Sequence, residues 1–176
     1  MSRLALVVVG PPASGKTTVG TAIATHLQLP FRDTDADVEA ETGKTIADLF
    51  VEQGEPHFRA LEERAVARAL AEHDGVLALG GGAVTSAATR RLLVAHGRAG
   101  GTVVWLDVDV ASAAKRAGQS LDRPLLAVNP RAMLRTMLEA RAPLYAEVAT
   151  VTVSTAARPV QEVVAEVLAA IGSVTP

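Results

Sequence analysis

The sequence contains no cysteine, which excludes two classes of site. Without thiols the chain forms neither a disulfide framework nor a thiolate metal centre, a composition compatible with a reducing compartment. Histidine occurs four times, and the spacing of these residues does not match a metal-ligand pattern. We therefore interpret the histidines as isolated surface or core residues.

The chain also lacks an excess of positive charge and a long apolar run. Its formal net charge is −2 over 176 residues, so no basic surface is expected to bind a nucleic acid backbone or an anionic membrane. The apolar stretch at residues 4–9 is too short for a secretion signal or a membrane span. These properties predict a cytoplasmic protein without nucleic acid or membrane partners. A monomer is also expected, although neither property bears on the oligomeric state.

The pattern of apolar residues predicts one α/β domain over residues 1–176. Short runs rich in β-branched residues alternate with longer helical patterns, as in a parallel sheet covered by helices on both faces. The runs that predict strands lie at residues 4–9, 29–32, 76–79, 102–108 and 150–153. Ligands of such sheets bind beyond the carboxyl ends of the strands, so functional residues are expected directly after each strand.

A phosphate-binding loop is predicted at residues 10–17, between the first strand and an amphipathic helix. The stretch reads GPPASGKT and satisfies the pattern G-x-x-x-x-G-K-[ST]. In this pattern, backbone N–H groups and the positive end of the following helix surround a polyphosphate. Lys16 is then expected to contact the β- and γ-phosphates, and Thr17 to bind Mg²⁺. Ala13 stands where many such loops have glycine.

An acidic stretch, RDTDAD, follows the second predicted strand. Asp33 and Asp35 alternate around Thr34, so that one carboxylate can face a metal ion and the other a substrate hydroxyl. Capping of the following helix by the same carboxylates is an equally good interpretation.

Three glycines follow the third predicted strand, at positions 80–82. They do not match the dinucleotide-binding fingerprint. Missing side chains would let a ligand lie against the backbone and accept N–H hydrogen bonds, although a plain turn between a strand and a helix remains open.

Taken in order, these stretches resemble shikimate kinase. The matching segments are GPPASGKT, RDTDADVEAETGKTIADLF, GEPHFRALEE, LALGGGAV, DRPLL and RAPLY. The resemblance implies a three-layer P-loop NTPase fold with a five-stranded parallel sheet, a helical substrate-binding region at about 33–62 and a mobile lid at about 117–130. It implies transfer of the γ-phosphoryl group of ATP, with Mg²⁺, to the 3-hydroxyl of shikimate in chorismate and aromatic amino-acid biosynthesis.

The resemblance also implies a role for each matching residue. The implied nucleotide-binding residues are Pro12, Ala13, Ser14, Gly15, Lys16, Thr17, Thr18, Arg116, Arg123, Arg158 and Pro159. The implied shikimate-binding residues are Asp35, Arg59, Gly80, Gly81, Gly82 and Arg141. Catalysis is implied for Lys16, Asp35 and the lid residue Arg123, and metal binding for Thr17 and Asp33.

Other interpretations remain open for the arginines and for the function. Without the resemblance, pairing of Arg59 with Glu62 or Glu63 on a helix surface accounts for that residue. Arg141 and Arg123 are equally compatible with exposed charges. Another small P-loop kinase, acting on gluconate or a nucleoside monophosphate, would share the loop and the lid. A GTP-binding switch module is disfavoured because the sequence has no N-K-x-D motif.

Overall fold

The structure is a computed structural model that describes residues 6–118 and 130–174. Its strands are β1 Leu6–Val9, β2 Phe31–Asp33, β3 Val76–Ala78, β4 Val103–Asp107 and β5 Val151–Ser154. Its α-helices are α1 Lys16–Leu27, α2 Thr34–Thr42, α3 Ile46–Gln53, α4 Glu55–Glu72, α5 Ala87–Arg98, α6 Val110–Gly118, α7 Pro130–Val148 and α8 Val160–Val174. The described strands form one parallel sheet in the order β2-β3-β1-β4-β5, which confirms the predicted α/β class and five-stranded sheet.

The predicted strands agree with the observed ones to within about two residues, and β2 differs most. Leu29 was expected in this strand, but its N–H donates to the carbonyl of Ala24 at 2.9 Å and so belongs to the turn that ends α1. Pro30 has no N–H to donate, and the strand begins only at Phe31. Residues 4 and 5 lie outside the described residues.

Alternating side chains of β1 build the two faces of the core. Leu6 and Val8 belong to an apolar cluster with α1 and α8, whereas Val7 and Val9 belong to a second cluster with α4, α5 and α7. All four side chains are at most 1% exposed. Burial of an aliphatic side chain of this size contributes about 1.5–3 kcal/mol, so helices are held on both faces of the sheet.

Three neighbouring strands bring the predicted site segments together. In the parallel register, Ala78 of β3 lies beside Asp33 of β2 on one side and Val8 of β1 on the other. The segments that follow these strands are the phosphate loop, the start of α2 and the three glycines. They therefore meet at one edge of the sheet.

Helices α2, α3 and α4 form a smaller apolar cluster beside the sheet. Its buried members are Val38, Leu49, Phe58, Leu61 and Ala65. This cluster fixes α2 against α4 and thus sets the relative positions of the acidic stretch and Arg59.

The predicted lid falls mostly on residues that the structure does not describe. Arg123 lies among them, and only Ala117 and Gly118 at the end of α6 and Pro130 at the start of α7 belong to the described ranges. Within those ranges, no helix combines the length and the apolar character that crossing a membrane requires.

Candidate active site

A cleft of about 820 Å³ opens at the carboxyl edge of the sheet. Every predicted nucleotide-binding residue within the described ranges lines it: Pro12, Ala13, Ser14, Gly15, Lys16, Thr17, Thr18, Arg116, Arg158 and Pro159. Asp33, Asp35 and Gly81 also line the cleft. The structure thus brings the nucleotide and metal candidates together with two of the substrate candidates.

The phosphate loop turns through unusual backbone angles before α1 begins. Gly10 has φ 156°, Ala13 φ 65° and Gly15 φ 87°. A side chain on Gly10 would lie within 2.6 Å of the Leu106 carbonyl oxygen, so glycine is required there. Ala13 occupies the left-handed region despite its methyl group, which explains why glycine is common at this position.

The first turn of α1 contains no acidic residue, and no side chain caps it. Its first backbone N–H groups therefore have no partner from a capping side chain, and the positive end of the helix dipole faces the loop. This arrangement suits a phosphate group.

Asp33 caps α2, as one interpretation of the sequence predicted, and it also contacts the phosphate loop. Its Oδ1 accepts a hydrogen bond from the N–H of Asp35 at 2.9 Å and so caps α2. Its Oδ2 accepts a hydrogen bond from Thr17 Oγ1 at 3.1 Å. The carboxylate therefore joins the helix cap to the phosphate loop.

The Asp33 and Thr17 oxygens fit a magnesium ion. Mg²⁺ takes oxygen ligands and is commonly held by one or two protein groups together with substrate phosphates. The described residues contain no cluster of three or more histidine, aspartate or glutamate side chains able to hold a metal ion. A site that depends on phosphate oxygens for its remaining ligands agrees with that composition.

A group of charged side chains around the buried Glu62 lies beside the loop. Arg59 Nη1 donates to Glu62 Oε2 at 2.7 Å, and Arg59 Nη2 donates to Glu55 Oε1 at 3.1 Å. Glu62 is only 2% exposed, and its Oε1 accepts no hydrogen bond from the described residues. Pairing of Arg59 with Glu62 was expected, but on a solvated surface. Glu63 instead accepts a hydrogen bond from Ser86 Oγ.

Burial raises the pKa of Asp35 to about 6, and the carboxylates of Asp33 and Glu62 add to this effect. The charges of Lys16 and Arg59 oppose it. Burial also raises the pKa of Glu62 against the lowering effect of Arg59. A carboxylate with a pKa near neutrality is well matched to accepting a proton from a hydroxyl group.

The three glycines make room for side chains of this chain. A methyl group on Gly80 would lie 2.6 Å from Asp35 Oδ1, and one on Gly82 would overlap the guanidinium of Arg59. A methyl group on Gly81 would lie 2.7 Å from Cδ of Pro12. The glycines are therefore needed to bring Asp35, Arg59 and the phosphate loop against the backbone, a reason that the sequence did not reveal.

Two arginines reach the nucleotide side of the cleft from distant parts of the chain. Arg116 of α6 donates to the Ala13 carbonyl at 3.0 Å and to the Thr155 carbonyl at 2.9 Å. Arg158 donates to the Ser154 carbonyl at 2.9 Å. Arg116 thus ties α6 to both the phosphate loop and the chain after β5.

Comparison with known proteins identifies the family. The family model of shikimate kinase matches residues 12–172. The shikimate kinase of Salinispora arenicola is 55% identical over 163 residues, which cover 93% of this chain and 95% of the relative. The chain belongs to the shikimate kinase family. A solved shikimate kinase from Acinetobacter baumannii in complex with shikimate is also similar, with a TM-score of 0.89 and 37% identity. That match covers 97% of this chain and 94% of the other.

Membership of the shikimate kinase family decides between the function classes left open by the sequence. It makes the protein an ATP-dependent kinase and not a nucleotide-binding switch module. It also favours shikimate kinase over a gluconate or nucleoside-monophosphate kinase, since relatives named shikimate kinase are more than half identical over nearly the whole chain.

Glu62 and Tyr145 lie in this shikimate kinase site, and the sequence did not indicate a functional role for either residue. Glu62 was considered only as a surface partner of Arg59. Tyr145 lies in the segment RAPLY, but no role was inferred for it; its hydroxyl donates to the Gly81 carbonyl. Helical spacing in the sequence could have indicated both residues. Tyr145 follows Arg141 by one turn of α7, and Glu62 follows Arg59 by one turn of α4.

Proposed function

We propose that this chain transfers the γ-phosphoryl group of ATP to the 3-hydroxyl of shikimate, giving shikimate 3-phosphate and ADP. The reaction belongs to chorismate and aromatic amino-acid biosynthesis. One observation carries the proposal: a phosphate-binding cleft and the buried group of Asp35, Arg59 and Glu62 share one edge of the sheet. Residues 1–176 act as one domain in this proposal.

On the substrate side, Asp35 accepts the proton of the attacking hydroxyl. Its raised pKa, about 6, leaves it mostly ionised at neutral pH and basic enough to take that proton. Arg59 and Arg141 bind the shikimate carboxylate, because a planar guanidinium matches a carboxylate with two parallel hydrogen bonds. The glycines 80–82 form the floor under the ring, and Gly81 of this floor lines the cleft.

On the nucleotide side, the backbone of residues 12–18 holds the phosphates. Lys16, whose Nζ donates to the Pro11 carbonyl at 2.9 Å, balances charge on the β- and γ-oxygens. Arg116, Arg158 and Pro159 hold the adenine side. Arg123, outside the described residues, reaches the phosphates when the lid closes and excludes water.

Thr17 and Asp33 would hold Mg²⁺ together with the phosphates of ATP. The ion supplies positive charge that neutralises the transferring group. Without it, Lys16 and the helix N-terminus still orient the phosphates, but with less compensation of their charge.

We further propose that the enzyme acts as a monomer in the cytoplasm without nucleic acid or membrane partners. The net charge of −2 supports the lack of nucleic acid and anionic membrane partners, and the absence of cysteine is compatible with the reducing cytoplasm. Analytical ultracentrifugation at micromolar protein concentration tests the monomer directly.

The deciding experiment measures ADP release with MgATP and a panel of acceptors: shikimate, quinate, gluconate and nucleoside monophosphates. We expect shikimate to give by far the highest kcat/KM, with product identified as the 3-phosphate by NMR. Asp35→Asn is the matched control for contaminating kinases, since it should lose this activity. A higher kcat/KM for gluconate or a nucleotide would contradict the proposal.

A further inference from the structure

Tyr145 lies behind the glycine floor, on the side of the core. It is only 1% exposed, although it carries a hydroxyl group. That hydroxyl donates to the Gly81 carbonyl across 64 positions of sequence. Gly81 itself lines the cleft, so one residue of the floor is held from the core while it faces the ligand space.

The ring of Tyr145 is fixed independently of its hydroxyl. It stacks on Trp105 of β4 with ring centroids 5.6 Å apart and an interplanar angle of 26°. Both residues belong to the apolar cluster that α7 shares with the sheet. Stacking of this kind restricts the ring, so the hydroxyl has a defined position relative to the sheet.

The same helix carries a proposed substrate-binding arginine. Arg141 precedes Tyr145 by four residues on α7, which places both on one face of the helix. The Arg141 charge lies close enough to the Tyr145 hydroxyl and to Glu62 to lower the pKa of each, although burial raises both. The helix thus joins Arg141, Glu62 and the glycine floor in one neighbourhood.

We propose that Tyr145 is a positioning residue for shikimate binding: through the Gly81 carbonyl it sets the glycine floor relative to Arg141. This proposal rests on the proposed function, in which the floor and Arg141 bind the same substrate. The hydroxyl does not touch shikimate. It reduces the ordering that the floor must undergo when the substrate binds, because that ordering is already achieved in the folded protein.

A second contact keeps the fold intact when this hydroxyl is removed. Arg90 of α5 donates to the Val84 carbonyl at 2.8 Å and pairs with Glu147 of α7 at 3.0 Å. It therefore holds the turn after the glycines against α7 without Tyr145. Tyr145→Phe, which keeps the ring, is expected to fold.

The test compares Tyr145→Phe with the matched control Trp105→Phe, which changes the stacking partner but not the bond to Gly81. We expect Tyr145→Phe to raise the KM and the calorimetric Kd for shikimate about three- to tenfold, as for loss of one buried hydrogen bond. The KM for ATP should stay within about twofold. The control should leave the shikimate KM within about twofold, because phenylalanine at position 105 still presents an aromatic ring to Tyr145.

Three outcomes would overturn the proposal. An unchanged shikimate KM in Tyr145→Phe, with normal wild-type turnover, leaves the proposed function intact and removes this role for Tyr145. Equal increases in both variants show a packing effect without a specific role for the hydroxyl. Failure of the wild-type protein to bind or phosphorylate shikimate removes the proposed function and this inference together.

A spectroscopic measurement on the otherwise unchanged sequence covers the case of a poorly folded variant. Tyr145 is the sole tyrosine, so growth with 3-fluorotyrosine places one fluorine label in the protein. We expect its fluorine resonance to shift on titration with shikimate and to shift less with ADP alone. Several fluorine resonances in the free protein that merge into one only when shikimate binds would overturn the proposal, because the hydroxyl would then not hold the floor before binding.

Discussion

The two sides of the cleft recognise their ligands with different chemistry. The phosphate side consists of the loop at residues 10–17, which presents backbone N–H groups and the N-terminus of α1. The substrate side consists of charged side chains that are buried or half-buried, chiefly Asp35, Arg59 and Glu62. Backbone groups keep their partial charges whatever their neighbours are. Buried side chains change their pKa when a neighbour changes.

This difference has a practical consequence for mutagenesis. On the phosphate side, a substitution mainly removes its own contact. On the substrate side it also alters the remaining charges, since the carboxylates of Asp35 and Glu62 respond to Lys16 and Arg59. Lys16 connects the two sides, because it belongs to the loop and its charge lowers the pKa of both carboxylates.

The largest effect is expected from Lys16→Met. Loss of the ammonium group should lower kcat at least about a hundredfold, which corresponds to about 2.7 kcal/mol of transition-state stabilisation. The pH dependence of the residual activity should move to higher pH, because Lys16 lowers the pKa of Asp35. Steady-state kinetics with circular dichroism checks both points. Near-normal turnover in a folded variant would contradict the assignment.

Asp35→Asn should lower kcat about ten- to a hundredfold while the KM for ATP changes little. The same variant should be more stable at pH 7. The folded-state pKa of Asp35 is raised from 3.8 to about 6, so ionisation of the buried group destabilises the fold as pH rises through this interval. Removing the charge should raise the free energy of unfolding by up to about 3 kcal/mol.

Urea unfolding of the wild type and of Asp35→Asn at pH 7 and pH 4 tests whether the charge of Asp35 destabilises the fold. The stability difference should shrink at pH 4, where Asp35 is protonated in the folded wild type. A variant that is less stable at both pH values would show that the carboxylate is needed for the fold.

In the wild type, kcat/KM for shikimate should fall about tenfold per unit as pH decreases below about 6. Protonation of Asp35 removes the proton acceptor, so the acid limb of the pH profile follows the pKa of Asp35. Glu62→Gln sharpens the test, since loss of that carboxylate should lower the pKa of Asp35 and move the limb to lower pH. Identical limbs in both proteins would argue against coupling between the two carboxylates.

A smaller effect is expected from Arg141→Lys, which keeps the charge but loses the planar pair of donors. The KM for shikimate should rise about tenfold while that for ATP stays nearly constant. Arg135→Lys is a suitable control, because Arg135 is an exposed residue of the same helix. A variant at position 141 that loses kcat alone would show that Arg141 acts on the transferring group.

The smallest effect is expected from Ala13→Gly. Relief of the left-handed conformation at φ 65° should raise the free energy of unfolding by less than about 1 kcal/mol, because glycine also increases the entropy of the unfolded chain. Ala157→Gly is a matched control with φ 50° outside the phosphate loop. Similar stability changes and an unchanged KM for ATP are expected. A raised KM for ATP in Ala13→Gly alone would show that the methyl group shapes the loop.

The sequence alone predicted the sheet, its parallel connectivity and the phosphate side of the cleft. These features depend on short-range patterns: β-branched runs such as residues 7–9, and a loop whose geometry follows from the spacing of Gly10, Gly15 and Lys16. On the substrate side, position after a strand indicated Asp35 and the three glycines, whereas Arg59 and Arg141 came from family resemblance. No local pattern distinguished Arg59 from an ordinary surface arginine, and its contact with Glu62 would look the same on an exposed helix.

The tertiary structure decided the electrostatics. Asp35 comes from α2, Glu62 from α4 and Arg141 from α7, and their burial depends on how these helices pack against the glycine floor. A pKa depends on every charge and every displaced water molecule around the group, and those neighbours are distant in sequence. Two further features became visible only in the folded chain, for the same reason. One is the hydrogen bond between Tyr145 and Gly81, and the other is the filling of the space above Gly80 and Gly82 by Asp35, Glu62 and Arg59.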